Sequence, residues 1–137
     1  MISEREIVES LTFKAEIDNV SVAEGLVDRI CESQSIDEDA YGNVLIAVTE
    51  AVNNAIIHGS KLNKDLDVTI DVLKTDSDVV FKISDTGEGF DFNNLEDPTD
   101  PKNIEKPNGR GIFLMKNLAD SVEYLDKGNV VELSFKV

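Results

Sequence analysis

An α+β fold, with one mostly antiparallel sheet and helices packed on one of its faces, is what this 137-residue sequence predicts. Three observations carry that expectation. The strand-like stretches alternate apolar and polar residues, so each strand buries a single face. Neighbouring strands are joined by short polar turns, which forces antiparallel pairs. The helical stretches show one apolar stripe each, the pattern of an element packed on one side only. A doubly wound parallel sheet needs unbroken apolar strands, and these alternate.

The elements follow in order. Residues 11–17 (LTFKAEI) set Leu11, Phe13, Ala15 and Ile17 on one side of a half-buried strand. Ser21 and Glu24 form an S-x-x-E capping box ahead of a helix with Val22, Leu26, Val27 and Ile30 as its stripe. Ser35 and Glu38 repeat the box for a longer helix. Its apolar positions Leu45, Val48, Val52 and Ile56 recur at three- and four-residue steps, and Gly59 follows as a C-cap. Leu66, Val68, Ile70 and Val72 form a strand, and the turn KTDSD leads to its antiparallel partner with Val79, Phe81 and Ile83. Residues 108–120 read as a third helix. A last hairpin pairs 122–126 with 130–137, where Val131, Leu133, Phe135 and Val137 alternate with Glu132, Ser134 and Lys136.

The bulk chemistry narrows the function classes. The length suits one domain with a real core, over residues 1–137. A formal charge of −15 argues against an unaided nucleic-acid or anionic-membrane binder; it either meets a partner with a basic face or serves solubility alone. The single cysteine, Cys31, excludes an internal disulfide and a cysteine metal cluster, and points to a reduced compartment. No signal-like segment opens the chain, and no apolar run approaches the roughly 20 residues of a membrane span. The expected setting is cytoplasmic.

Between Phe90 and Asn108 runs DFNNLEDPTDPKNIEKP, with three prolines and no usable period. A structureless stretch of this kind inside a compact domain reads as a functional lid, over about 91–108. Glycine motifs stand at both of its edges. Upstream is Asp85-Thr86-Gly87-Glu88-Gly89, and Asp85 is in phase with Val79, Phe81 and Ile83 on the buried face. A carboxylate there is costly unless something donates to it. Downstream, Asn108-Gly109-Arg110-Gly111 opens the third helix, whose free N–H groups suit a phosphate. Arg110 can meet that phosphate or the lid, or point to solvent.

The stretch EAVNNAIIHG, Glu50 to Gly59, adds a carboxylate and an amide one turn apart. Neither Glu50 nor Asn54 lies on the 45–48–52–56 stripe. Taken singly, Glu50 reads as a solvated helix acid and Asn54 as a surface amide. Together, an amide oxygen suits Mg²⁺ completed by phosphates and water, and a carboxylate beside it can orient or deprotonate a nucleophile.

These motifs resemble those of the GHKL ATPase superfamily: EAVNNAIIHG its N box, DTGEGF its first glycine box and NGRGIFLMKNLAD its second. Length and element order resemble the stand-alone anti-sigma-factor serine/threonine kinases, from about Leu11 onward. The resemblance implies a Bergerat ATP-binding fold, a two-layer sandwich with three helices on one face. It implies ATP and Mg²⁺ as cofactors. Asp85 would accept a hydrogen bond from the adenine amino group, and Gly87 and Gly89 would shape the pocket around it. Asn54 would bind the Mg²⁺ bridging the phosphates. Gly109 and Gly111 would let the helix N-terminus approach them. Glu50 would be the general base acting on a serine or threonine hydroxyl.

The family's partners would be an anti-sigma-factor antagonist as substrate, a sigma factor held in complex, and a second copy in a homodimer. Sensor histidine kinases are excluded by the residues themselves, because the only histidine, His58, lies inside the N-box helix. Two positions depart from the pattern. Pro107, preceded by Lys106, stands where a basic residue precedes the second glycine box, so Lys106 and Arg110 are left to contact the γ-phosphate. Asn129 follows Gly128 where a threonine is common. The alternative reading is a nucleotide-gated protein-binding module without phosphotransfer.

Overall fold

The computed structural model describes residues 5–60, 63–86, 118–125 and 129–136. Strand β1 (Glu6–Lys14) leads through a 3-10 turn at Ile17–Asn19 into helices α1 (Val20–Ser33) and α2 (Glu38–Asn54). A single π-helical turn, Ala55–Gly59, extends α2. Strands β2 (Asp67–Lys74), β3 (Asp78–Asp85), β4 (Ser121–Leu125) and β5 (Val130–Lys136) complete the sheet. Its five strands lie in the order β1-β2-β3-β5-β4, and each neighbouring pair is antiparallel. The predicted α+β two-layer architecture therefore holds. Of the third expected helix, 108–120, only the last residues fall within the described part, with Leu118 helical and Ala119 and Asp120 already leaving the helix.

Antiparallel register puts directly opposed residues on the same face. The row Leu11–Ile70–Ile83–Val131 and the pair Phe81–Leu133 thus form the floor of one core. Phe81 and Phe135 meet edge-to-face with centroids 5.9 Å apart. Over this floor lie Leu26, Val27 and Ile30 of α1 and Val44, Ala47, Val48, Ala51 and Val52 of α2. The two helices pack on each other, and α2 crosses β3 and β5.

Several local expectations are corrected. The first strand begins at Glu6 and ends at Lys14, and Ile17 belongs to the 3-10 turn, largely exposed. Ser21 is no cap: α1 starts one residue earlier, behind Asn19, and the Ser21 hydroxyl donates to the Asp18 carbonyl. Val22 faces outward, so Ala23 takes its place in the stripe. Ser35 is no cap either. With φ at 54° it is the left-handed residue that closes α1, and the Ile36 N–H returns to the Cys31 carbonyl in a Schellman-type ending. Asp37 takes the cap position of α2 without a side-chain bond. The second box fails because a short linker must first end α1, and the Ser that reads as a start is used as a stop.

The outer face of the sheet, away from the helices, is polar, and several of its side chains pair with one another. Thr12 and Thr69 share a hydrogen bond of 3.0 Å, Ser10 donates to Asp71 at 2.6 Å, and Lys14 meets Asp67 at 2.9 Å. On β5 the expected clean alternation breaks, because Glu132 is only 6% exposed. Arg5 makes that burial possible with a two-pronged contact, 2.8 Å to each carboxylate oxygen.

Candidate functional site

The N-box helix runs α-helical through Asn54 and then widens. Five residues, Ala55–Gly59, form a π turn, and the Ser60 N–H bonds back to the Ala55 carbonyl at 2.7 Å. Single π turns of this kind concentrate at functional positions, because the extra residue re-aims the side chains around it. Ala51, Val52, Ala55 and Ile56 hold the segment down on the core, and the turn packs against β3.

Glu50 and Asn54 are half-buried, off the core side of α2 as the spacing predicts. Among the described residues Glu50 forms no ion pair. The Asn54 Nδ2 atom is buried and has no hydrogen-bond partner. A buried amide left unpaired costs about 1–3 kcal/mol, so a folded protein retains one where a ligand completes it. No hydrogen bond among the described residues fixes which end of this amide is which, so a rotation of the group presents oxygen in place of nitrogen.

Asp85 is the last residue of β3 and only 9% exposed. It pairs opposite Val68, which is itself opposite Phe13, so the carboxylate ends an apolar row on the helix-covered face. The predicted placement of Asp85 is therefore borne out. Its backbone N–H donates to the Asn129 carbonyl at 2.9 Å, and the Asn129 side-chain amide donates to the Asp85 carbonyl at 3.3 Å. Asn129 was visible in the sequence only as a departure from a motif. Its place beside Asp85 depends on a strand pairing across 44 residues, which no local pattern announces.

Three more orphaned polar atoms lie among the described residues, Ser60 Oγ just past the π turn, Asn129 Oδ1 beside Asp85 and Asp78 Oδ1 at the far end of β3. Cys31 is buried, and that burial, aided by Asp28, pushes its thiol above the ordinary value. Gly87, Gly89, Lys106, Gly109, Arg110 and Gly111 lie outside the described residues, as does the side chain of His58 and the lid over about 91–108.

No group of three or more His, Cys, Asp or Glu side chains gathers among the described residues. The donor set does not make a free-standing metal site. It does suit Mg²⁺ carried by a nucleotide, for which one protein amide oxygen suffices beside phosphates and water. The unpaired Asn54 amide at the end of α2 and the buried Asp85 carboxylate at the end of β3 are the donor types such a ligand takes. No described helix is long and apolar enough to cross a membrane.

Comparison with known proteins agrees with this geometry. Residues 13–135 match the histidine kinase-like ATPase domain. The chain is 26% identical over 126 residues to the serine-protein kinase RsbW of Listeria monocytogenes serovar 1/2a, covering 87% of this chain and 80% of that one. It is 28% identical over 134 residues to an anti-sigma F factor of Clostridium perfringens, covering 93% and 94% respectively. A serine-protein kinase RsbW of Oceanobacillus iheyensis is 25% identical over 123 residues, covering 85% and 78%.

Proposed function

This chain belongs to the histidine kinase-like ATPase family, and on that premise we propose that it is an Mg·ATP-dependent serine/threonine protein kinase acting on an anti-sigma-factor antagonist. It also holds a sigma factor in complex, as a cytoplasmic single-domain homodimer. The observation that carries the reading is an unpaired buried amide atom, Asn54 Nδ2, at the end of α2, together with a buried carboxylate, Asp85, at the end of β3. The names of the relatives, a serine-protein kinase and an anti-sigma factor, support a serine-directed kinase and a sigma-factor partner.

In this reading Asp85 accepts from the exocyclic amine of the base, and Gly87 and Gly89 let the backbone close around it. Asn54 turns its amide oxygen to the cation, while Gly109 and Gly111 bring helix N–H groups to the phosphates, with Lys106 and Arg110 beside them. Mg·ATP, when bound, supplies the transferable phosphoryl group. Glu50, one turn before Asn54, receives the proton that a serine or threonine hydroxyl gives up as it attacks. Such chemistry depends mainly on position and charge.

Melting temperature with and without Mg·ATP tests the nucleotide site, on the native chain and on Asp85→Asn. Nucleotide at about 100 times its dissociation constant adds about 2.7 kcal/mol, a shift of several degrees that the variant loses. Labelled ATP with candidate partners then separates the kinase from a nucleotide-gated binding module. Phosphate on a partner hydroxyl, lost in Glu50→Gln, supports the kinase; nucleotide-dependent association without transfer supports the module.

A further inference from the structure

Helix α2 carries a row of residues that the fold itself does not need. At four-residue steps from its first residue it reads Glu38, Gly42, Ile46, Glu50 and Asn54. Positions four apart are neighbours on a helix surface and form one slanting ridge. The last two belong to the proposed phosphoryl-transfer site, and the first three are exposed and lead up to it. Ile46, one turn before Glu50, is 45% exposed. Gly42 is open as well, since a Cβ added there would meet nothing within 4 Å. A glycine inside a helix is costly relative to alanine, and packing within the chain gives no reason for this one. Gly25 of α1 differs, because its added Cβ would touch the Arg29 guanidinium at 3.6 Å. Gly42 therefore leaves a notch facing outward, beside an exposed apolar side chain.

Charge says what can lie there. Helices α1 and α2 carry Glu24, Asp28, Glu32, Glu38, Asp39 and Glu50, against Arg29 as their sole base. That guanidinium is already bound to Glu9 of β1 at 3.1 Å. A basic surface is drawn to such a face and an acidic one is repelled. Resting on the kinase reading of Glu50, we infer that this row is where the acceptor protein docks. A bulky apolar side chain of the acceptor sits in the Gly42 notch against Ile46, and a lysine or arginine faces Glu38. At about 1.5 Å of rise per residue each step of the row spans about 6 Å. On the acceptor, the apolar group thus lies about 6–12 Å from the reacting hydroxyl and the base about 18 Å from it. With its neighbours held in register the hydroxyl is placed at Glu50, and phosphoryl transfer depends on such positioning.

Steady-state kinetics with the protein that takes up phosphate in the labelled-ATP assay test this. The chains compared are native, Gly42→Leu, Ile46→Ala and Glu38→Lys, with Mg·ATP binding measured for each. Gly42→Leu places a better helix former in open space, so it should melt no lower than the native chain. It should nevertheless raise KM for the acceptor about tenfold, with kcat and Mg·ATP affinity within about twofold. Ile46→Ala should raise KM about fivefold. Glu38→Lys should raise it about threefold in dilute salt, and that difference should fade near about 1 M salt. An acceptor KM that Gly42→Leu leaves unmoved refutes the docking row alone. Parallel loss of Mg·ATP binding overturns it too, by making the row structural. Weakened self-association with KM unmoved makes the row a face between two copies, which also overturns it. A native chain that binds Mg·ATP but phosphorylates no partner refutes the kinase reading, and the docking row with it.

Discussion

The two faces of the sheet treat polar side chains in opposite ways. On the outer face Thr12 meets Thr69, Ser10 meets Asp71, Lys14 meets Asp67, and the buried Glu132 is held at both oxygens by Arg5. On the helix side, Asn54 just before the π turn, Ser60 just after it and Asn129 beside Asp85 each keep a buried polar atom without a partner among the described residues. The energetic sense is plain. A polar group that completes its bonds within the fold contributes to stability, whereas one that waits for a ligand subtracts from it until the ligand arrives. One outer-face atom, Asp78 Oδ1, departs from the contrast, at the end of β3 opposite to Asp85.

Substitutions on the two faces should then have opposite signs. The largest effect on the outer face is expected from Arg5→Ala, which leaves the Glu132 carboxylate buried and unpaired. Because Arg5 is itself about half exposed, the loss should be about 1–2 kcal/mol in denaturant unfolding, with nucleotide affinity unchanged. A fall in affinity would break the division between the faces. The Arg5 hydrogen bonds hold the Glu132 carboxyl below its ordinary value, against the opposing pull of burial. A folded value below the unfolded one means the contribution is complete above the unfolded value, about 4.3, and is lost as pH falls through the folded value. The stability advantage of the native chain over Glu132→Gln should accordingly be flat from neutral pH to about 5 and shrink in more acid solution.

Asn54→Leu sharpens the comparison from the other side. Removing an unpaired buried amide and adding a better helix former should leave the ligand-free protein as stable or up to about 1 kcal/mol more stable. The magnesium-dependent thermal shift with ATP should disappear at the same time. Destabilisation by more than about 1 kcal/mol would mean that Asn54 serves the fold. The smallest effect belongs to Thr12→Ala, which removes one exposed cross-strand hydrogen bond. About 0.5 kcal/mol should be lost in unfolding, with nucleotide binding untouched.

Much of the fold was legible from local pattern. The alternation of Val68, Ile70 and Val72 and of Val79, Phe81 and Ile83 placed β2 and β3 correctly and put Asp85 on the buried side. Helix starts were less legible. Ser35-x-x-Glu38 has the letters of a capping box, but the backbone at Ser35 is left-handed and ends the preceding helix. The same side chain serves either end of a helix, and the length of the linker decides which.

Residue type and period determined, without further help, that this chain folds as alternating strands under one-sided helices. They also placed Glu50 and Asn54 one turn apart and Asp85 inside. These are short-range properties, set by the 2.0 and 3.6 residue repeats. Tertiary structure alone decided that Asn129 stands opposite Asp85 and that Arg5 reaches Glu132, contacts spanning 44 and 127 residues. Strand register and order arise from the sheet as a whole, through the mutual packing of rows that no single segment contains.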